Sequence, residues 1–441
     1  MRLAVWALAG SMLCGGAAEA ATVTVAFEGV RSAEGNVLVS LCPDPATFMK
    51  TCAGKQGFAK AAAGETLVTI PDVSPGRYAL SAFHDENGDF RAEIPPEGYA
   101  FGNDAPYPPS FDAAAVQVTG DQRVTAHMTY ISGVSPTSAG GSHGVAPPAG
   151  VTRTDLRQDG LYGELYLPAG GSGRRPGIVL FGGSEGGLDI ISGMAIDFAK
   201  QGYAALALAY WKEQGLPQTL ELVPLEYFDK AVAWLEARPE AAPGGVGAVG
   251  WSRGSEAVLL LASRNPDVKA VVAVAPSGVV WQGINYGAGQ PKSAWTVAGQ
   301  PLPYATPVGS LYRADSMKEM FIAALPEAMR RPETQIPIEK ISGSVLFLSG
   351  GDDHLWPSRQ MADQMMARLK AKGFSHAYAH LTYDGAGHVI FVGAPDGAMG
   401  KVMGQPSAML GGSEAADAKA WADEWPRVLD FYAKALKGAR R

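Results

Sequence analysis

The chain has 441 residues, of which 47% are hydrophobic and 18% charged, a balance that suits a globular, core-forming protein of two or three domains. Its net charge of −7, with no run of Lys or Arg, excludes nucleic acid as a natural partner. The 55 glycines and 31 prolines imply long ordered loops. In chain order, Met1-Arg2 supplies a positive start, Leu3 to Leu13 a short apolar run, and Ala18-Glu19-Ala20 a small-residue cleavage site. Together they read as a signal peptide over 1–20, removed to leave a periplasmic or secreted protein beginning at Ala21. No later stretch is apolar enough to span a membrane, so none is expected in the mature chain.

After cleavage only Cys42 and Cys52 remain, and an oxidising compartment lets them pair as a disulfide around Pro43-Asp44-Pro45. Residues 22–27, 36–41, 65–70 and 122–128 alternate apolar and polar at period two and are punctuated by turns such as Ser74-Pro75-Gly76. That pattern predicts a small all-β sandwich over 21–133. Val30 to Gly35, Pro75 to Ala79 and Phe83 to Asp89 resemble a family of exported bacterial domains of unknown function with a prealbumin-like sandwich. Asp85, Asn87 and Asp89 have the spacing of a calcium loop's first ligands. Phe90 stands where the loop needs glycine, and Pro96 where it needs the closing glutamate, so a polar turn and no metal is the expectation. A Pro/Gly/Ser-rich linker follows over 134–150.

From 151 to 441 strands and helices alternate. Strands are predicted over 177–181, 204–210, 245–249, 268–274, 345–348 and 379–383. Helices are predicted over 192–201, 225–238, 255–263, 358–372 and 416–436. This argues a mostly parallel sheet flanked by helices. Residues 276–342 interrupt the pattern and stand where a cap over the pocket is often inserted. The most informative stretch is Gly250-Trp251-Ser252-Arg253-Gly254, between an apolar strand and a helix. Strand, G-x-S-x-G, helix is the context of a nucleophile elbow, in which a tight turn pushes the serine hydroxyl out at the top of the sheet. The fold class expected is therefore the α/β-hydrolase fold, preceded by the β-sandwich domain.

A serine hydroxyl is a poor nucleophile without a general base, and the base needs an orienting acid. On this fold the order is Ser, acid, His. The histidines after Ser252 are His354, His376, His380 and His388. His388, in the Asp384–His388 loop just past the strand-like 379–383, is the expected base, while His376 and His380 lie at or before that strand and read as surface or packing residues. The acid should follow the 345–350 strand, where Asp352 and Asp353 stand together. The spacing from Gly350 favours Asp353, leaving Asp352 to cap or hold the loop. Developing negative charge on a substrate oxygen needs two N–H donors. Arg253 should supply one, and Gly183 or Ser184, in the Phe181–Gly187 loop, the other. The Arg253 side chain is read as a local salt bridge or as facing an anionic substrate group. Trp211, Trp281 and Trp356 are candidates to line the pocket or to be core.

With those residues assembled, the segment 175–438 resembles the acyl-CoA thioester hydrolases and bile acid-CoA:amino acid N-acyltransferases. The stretches that carry the resemblance are 176–179, 186–188, 222–228, 245–247, 250–254, 352–356 and Gly387-His388. The resemblance implies a dienelactone hydrolase-like α/β-hydrolase with nucleophile Ser252, acid Asp353 and base His388, and no cofactor. The acyltransferase branch uses Cys as nucleophile, so Ser252 points to hydrolysis of a small acyl ester or thioester by water. An exported peptidase or dienelactone-type hydrolase would share the constellation. A non-catalytic envelope-binding protein is the rival outside enzymes. Oligomeric state leaves no mark on the sequence.

Overall fold

The computed structural model describes residues 20–49, 54–86, 97–107, 109–130, 147–170, 173–285, 290–308, 317–390, 393 and 410–436. The expected signal segment up to residue 19, Cys52, Asn87, Asp89 and most of the linker lie outside the described residues. The chain divides into two compact units, residues 1–84 with 99–129 and residues 85–98 with 130–441.

The first unit is built from β1 (Ala21–Val30), β2 (Asn36–Cys42), β3 (Lys55–Lys60), β4 (Gly64–Val73), β5 (Gly76–Asp85), β6 (Gly98–Phe101), β7 (Ala115–Val118) and β8 (Gln122–His127). They form two sheets, one ordered β4-β1-β8 and one ordered β3-β2-β5-β6 with β7 paired to β5. The period-two pattern has the physical outcome it predicts. In β4, Leu67 and Thr69 face out while Thr66, Val68 and Ile70 are buried. Cys42 is buried and disulfide-bonded.

The second unit begins with β9 (Val151–Leu156), β10 (Tyr162–Pro168), β11 (Arg175–Phe181), α1 (Asp189–Lys200), β12 (Ala204–Ala209), β13 (Val223–Pro224) and α2 (Leu225–Glu236). It continues through β14 (Ala241–Trp251), α3 (Arg253–Ala262), β15 (Val268–Val274), β16 (Trp295–Val297), β17 (Gln300–Pro301) and α4 (Met317–Arg330). It ends with β18 (Ser344–Gly350), α5 (Ser358–Ala371), β19 (Tyr378–Tyr383) and α6 (Glu414–Ala435). Eight strands make one sheet in the order β19-β18-β15-β14-β11-β12-β10-β9. Every pairing from β12 to β19 is parallel, and only β10 with β12 and with β9 is antiparallel. This is the α/β-hydrolase arrangement.

Both faces of the parallel strands are covered, which is why these strands are apolar throughout. Val179, Phe181, Leu206, Leu208, Val271 and Phe347 pack toward α2, α3 and α5. Their neighbours Ile178, Leu180, Ala205, Ala207, Val272 and Leu346 pack toward α1 and α6. β10 escapes an apolar-run reading because it carries Glu164, fully buried. That carboxylate accepts hydrogen bonds from Tyr166 (2.6 Å) and Ser192 (2.8 Å). The 276–342 excursion holds β16 and β17, which form a small sheet with β13, and the helix α4, which has Pro326 inside it and so hides its helical period.

Candidate active site

β14 runs into α3 through one residue, Ser252, whose φ of 55° and ψ of −119° lie outside the ordinary regions for a side-chain-bearing residue. Such strain persists only where the surroundings impose it. They do so here, and the flanking glycines make it feasible. A Cβ on Gly250 would stand 2.1 Å from the Gly254 carbonyl oxygen, and one on Gly254 would stand 2.3 Å from that of Gly182. The turn admits no side chain at either position, and Ser252 Oγ is directed out of the sheet.

Three distant segments meet at that hydroxyl. Ser252 Oγ lies 2.9 Å from His388 Nε2, and His388 Nδ1 lies 2.9 Å from Asp353 Oδ2. All three residues are at most 4% exposed. The bonding is self-consistent if Nδ1–H donates to the carboxylate and the serine O–H donates to Nε2. Asp353 is the better-held of the two neighbouring acids. Its Oδ1 accepts the backbone N–H groups of Leu355 (3.0 Å) and Trp356 (3.2 Å). Its Oδ2 also accepts the Ser358 hydroxyl (2.6 Å), from the first turn of α5. Asp352 is half-exposed and bonds His354 (3.1 Å) and the Gly412 N–H (3.1 Å) instead. It holds the loop.

The His388 loop is pinned on every side. The His388 N–H donates to Leu410 O (2.8 Å), and the Trp251 indole donates to His388 O (3.1 Å). The Gly387 N–H donates to Asp417 Oδ1 on α6 (2.8 Å). Burial raises the Asp417 carboxyl above its usual value. Sequence reasoning missed Ser358, which stands five residues after Asp353, and Asp417, whose partner Gly387 lies thirty residues away. An acid motif followed by Ser at the start of a helix is the one signal that points to Ser358. His380 makes a separate string, with Ser349 (2.7 Å) and Asp363 (3.1 Å), but Ser349 is fully buried, so this string packs the strand.

Arg253 is the first residue of α3, so its amide has no acceptor within the helix. Its side chain turns inward. The guanidinium lies 3.0 Å from the buried Glu256 carboxylate and donates to the carbonyls of Trp281 (3.3 Å) and Gln282 (2.9 Å). Of the two readings for this side chain, the structure has the local one. Glu256 in turn accepts the Trp281 N–H and the Trp295 indole N–H, tying the 276–342 excursion to the nucleophile helix. Burial pushes the Glu256 carboxyl up to about 7.

The Phe181–Gly187 loop lies against Ser252. A Cβ on Gly183 would come within 3.0 Å of Ser252 Cβ. Two side chains orient the loop by its carbonyls: Tyr210 donates to Gly182 O (2.7 Å) and Trp211 Nε1 to Gly183 O (3.3 Å). The Gly183 N–H donates to Glu185 Oε1 (2.7 Å), and Ser184 stands beside it, half-buried.

Of the two readings for Trp211, Trp281 and Trp356, the core one holds for the first two. Trp211 and Trp281 are enclosed in the core, their indole N–H groups spent on Gly183 O and Ser277 Oγ. Trp356 does face a cavity, of about 540 Å³, with Asp353, Ser358, Arg359, Gln360 and Lys318 also on its walls. Its indole is anchored on Ala275 O (3.1 Å), and its ring meets His388 edge-on at 5.9 Å. Ser252 is not among the cavity's lining residues. Among the described residues no group of His, Cys, Asp and Glu could hold a metal, and no helix is long and apolar enough to cross a membrane.

The family model described as BAAT / Acyl-CoA thioester hydrolase C terminal matches residues 223–438. A second, described as Uncharacterized protein conserved in bacteria (DUF2141), matches residues 25–126. Acyl-coenzyme A thioesterase 1 of Homo sapiens is 32% identical over 300 residues, covering 66% of this chain and 67% of that protein. Bile acid-CoA:amino acid N-acyltransferase of Homo sapiens is 34% identical over 247 residues, covering 56% of each. Among solved structures, a putative dienelactone hydrolase from Klebsiella pneumoniae is similar at 17% identity and a TM-score of 0.42, covering 64% of this chain and 98% of that one.

Proposed function

The chain belongs to the BAAT / acyl-CoA thioester hydrolase family, and on that footing we propose that it is an exported serine hydrolase cleaving a small acyl thioester or carboxylic ester. The observation that carries the reading is the continuous bonding from Ser252 Oγ through His388 to Asp353, at 2.9 Å in each step. Ser252 attacks the substrate carbonyl while His388 Nε2 takes its proton. Asp353 keeps the imidazole in the tautomer with Nδ1–H and stabilises the imidazolium that forms. The oxyanion is met by the Arg253 amide at the start of α3 and by an amide of the Gly183–Ser184 segment. His388 returns the proton to the departing thiolate or alkoxide. The acyl-enzyme is then opened by water that His388 deprotonates, and Ser252 is restored.

The experiment is Ser252→Ala against wild type on acyl thioesters, aryl esters and short peptides, with fluorophosphonate labelling of the active serine. Loss of turnover by about 10⁴-fold or more, with loss of labelling, is the expected result. Near-wild-type turnover in the variant refutes the assignment. Thioester and ester cleavage without peptide cleavage fixes the substrate class. For export, the intact mass of the protein recovered from the periplasm or medium should correspond to a chain beginning at Ala21.

A further inference from the structure

Glu185 has no part in the scheme above, yet its carboxylate stands against the site. Oε1 accepts the Gly183 N–H at 2.7 Å. Oε2 lies 2.9 Å from the point a Gly183 Cβ would occupy, and Ser252 Cβ lies 3.0 Å from that same point. A Cβ on Gly182 would meet Oε1 at 2.4 Å, so the carboxylate is folded back over the glycine pair beside the nucleophile. An anionic oxygen on a loop N–H next to Ser252 is the arrangement that a tetrahedral intermediate would make.

We propose that the Glu185 carboxylate is an internal occupant of the oxyanion site, which the substrate carbonyl must displace before Ser252 can be acylated. The inference rests on the serine-hydrolase reading and adds to it a residue that sets how available the site is. The charged groups facing Glu185 are Lys212 and Tyr210 from the end of β12 and His388 from the loop after β19. Burial pushes its carboxyl up to about 7, against the opposing pull of its hydrogen bonds and of Lys212 and His388. Above that pH the group is ionised and grips the amide. Below it the neutral acid holds the amide more weakly. Occlusion therefore grows as pH rises through neutrality.

The test compares wild type, Glu185→Gln and Glu185→Ala for hydrolysis of an aryl ester, with kcat/KM followed from about pH 6 to about pH 9. Ser252 labelling by a fluorophosphonate, whose phosphoryl oxygen must enter the same site, is measured in parallel. Wild type should lose kcat/KM on the alkaline side of neutrality. Both variants should lack that loss and exceed wild type by on the order of tenfold at about pH 9, the worth of one charge-assisted hydrogen bond no longer displaced. Wild-type rates and pH profile in both variants, or lower rates at every pH, overturn the occlusion while Ser252 labelling in wild type keeps the hydrolase reading intact. Absence of labelling at Ser252 in all three proteins overturns the hydrolase reading and the occlusion with it.

Discussion

Asp353→Asn replaces one carboxylate oxygen by NH₂ and leaves the side chain's shape intact, so its effect isolates what the acid does. In wild type all four neighbours of this carboxylate are donors: the N–H groups of Leu355 and Trp356 on Oδ1, and Ser358 O–H and His388 Nδ1–H on Oδ2. Asparagine brings two donors of its own, so no orientation satisfies the site. With its oxygen toward Leu355 and Trp356, the NH₂ faces His388, and the ring must place its proton on Nε2. That nitrogen can then no longer take the Ser252 proton. With its oxygen toward His388, the NH₂ faces two buried backbone N–H groups, at about 1–3 kcal/mol for each donor left unmatched. The first orientation is the cheaper, and the wrong tautomer lowers kcat by about 10⁴-fold, equivalent to about 5.5 kcal/mol in the barrier. KM and the melting temperature should change little. The assay is kcat and KM on an aryl ester, with thermal melts of each protein and Asp352→Asn as the comparison. Asp352 is half-exposed and serves Gly412 and His354, so that variant should stay within a few-fold of wild type. Retention of more than about a tenth of kcat in Asp353→Asn would refute the reasoning, as would an equal loss in Asp352→Asn.

Two further predictions concern the scaffold. Arg253→Met leaves Glu256 buried without its cation and should lower the unfolding free energy in urea by about 3 kcal/mol. The double variant Arg253→Met/Glu256→Leu should recover most of that loss, and failure to recover would show that the pair is not the unit that matters. Glu424 is fully buried on α6, and among the described residues neither of its carboxylate oxygens has a hydrogen-bond partner. Burial, with Asp423 and Asp417 nearby, raises its pKa well above the usual carboxylate value. The folded state therefore holds a proton that the unfolded state releases above about 4.3. Stability from this group is full below that pH and falls as pH rises toward the folded value, by up to about 1.4 kcal/mol per pH unit. Glu424→Gln should flatten the decline in urea stability between about pH 5 and about pH 8, and an unchanged slope would rule Glu424 out as its source.

The sequence alone determined what short-range sterics and burial dictate. Apolar runs marked β11, β12, β14, β15 and β18, because strands covered on both faces leave no room for polar residues. Gly250 and Gly254 were legible around Ser252, because the elbow's backbone admits no Cβ there. Ser252, Asp353 and His388 could be picked out by their chain order and strand-end positions. β10 was missed because Glu164 breaks the apolar pattern, and α4 because Pro326 breaks the helical one. The tertiary structure decided which way each side chain turns and what it meets. It separated Asp353 from Asp352 by the direction each carboxylate faces. It turned Arg253 inward onto Glu256 and enclosed Trp211 and Trp281 in the core. It brought Ser358 and Asp417 to the acid and the base, and it laid Glu185 on the Gly183 amide. Arg253 and Glu256, Ser358 and Asp353, and Glu185 and Gly183 are close in the chain, yet whether each pair meets depends on which way the packed sheet and helices turn the side chains. Those directions are set by elements distant in the chain, such as α6 against the His388 loop and the 276–342 segment against α3, which no local pattern encodes.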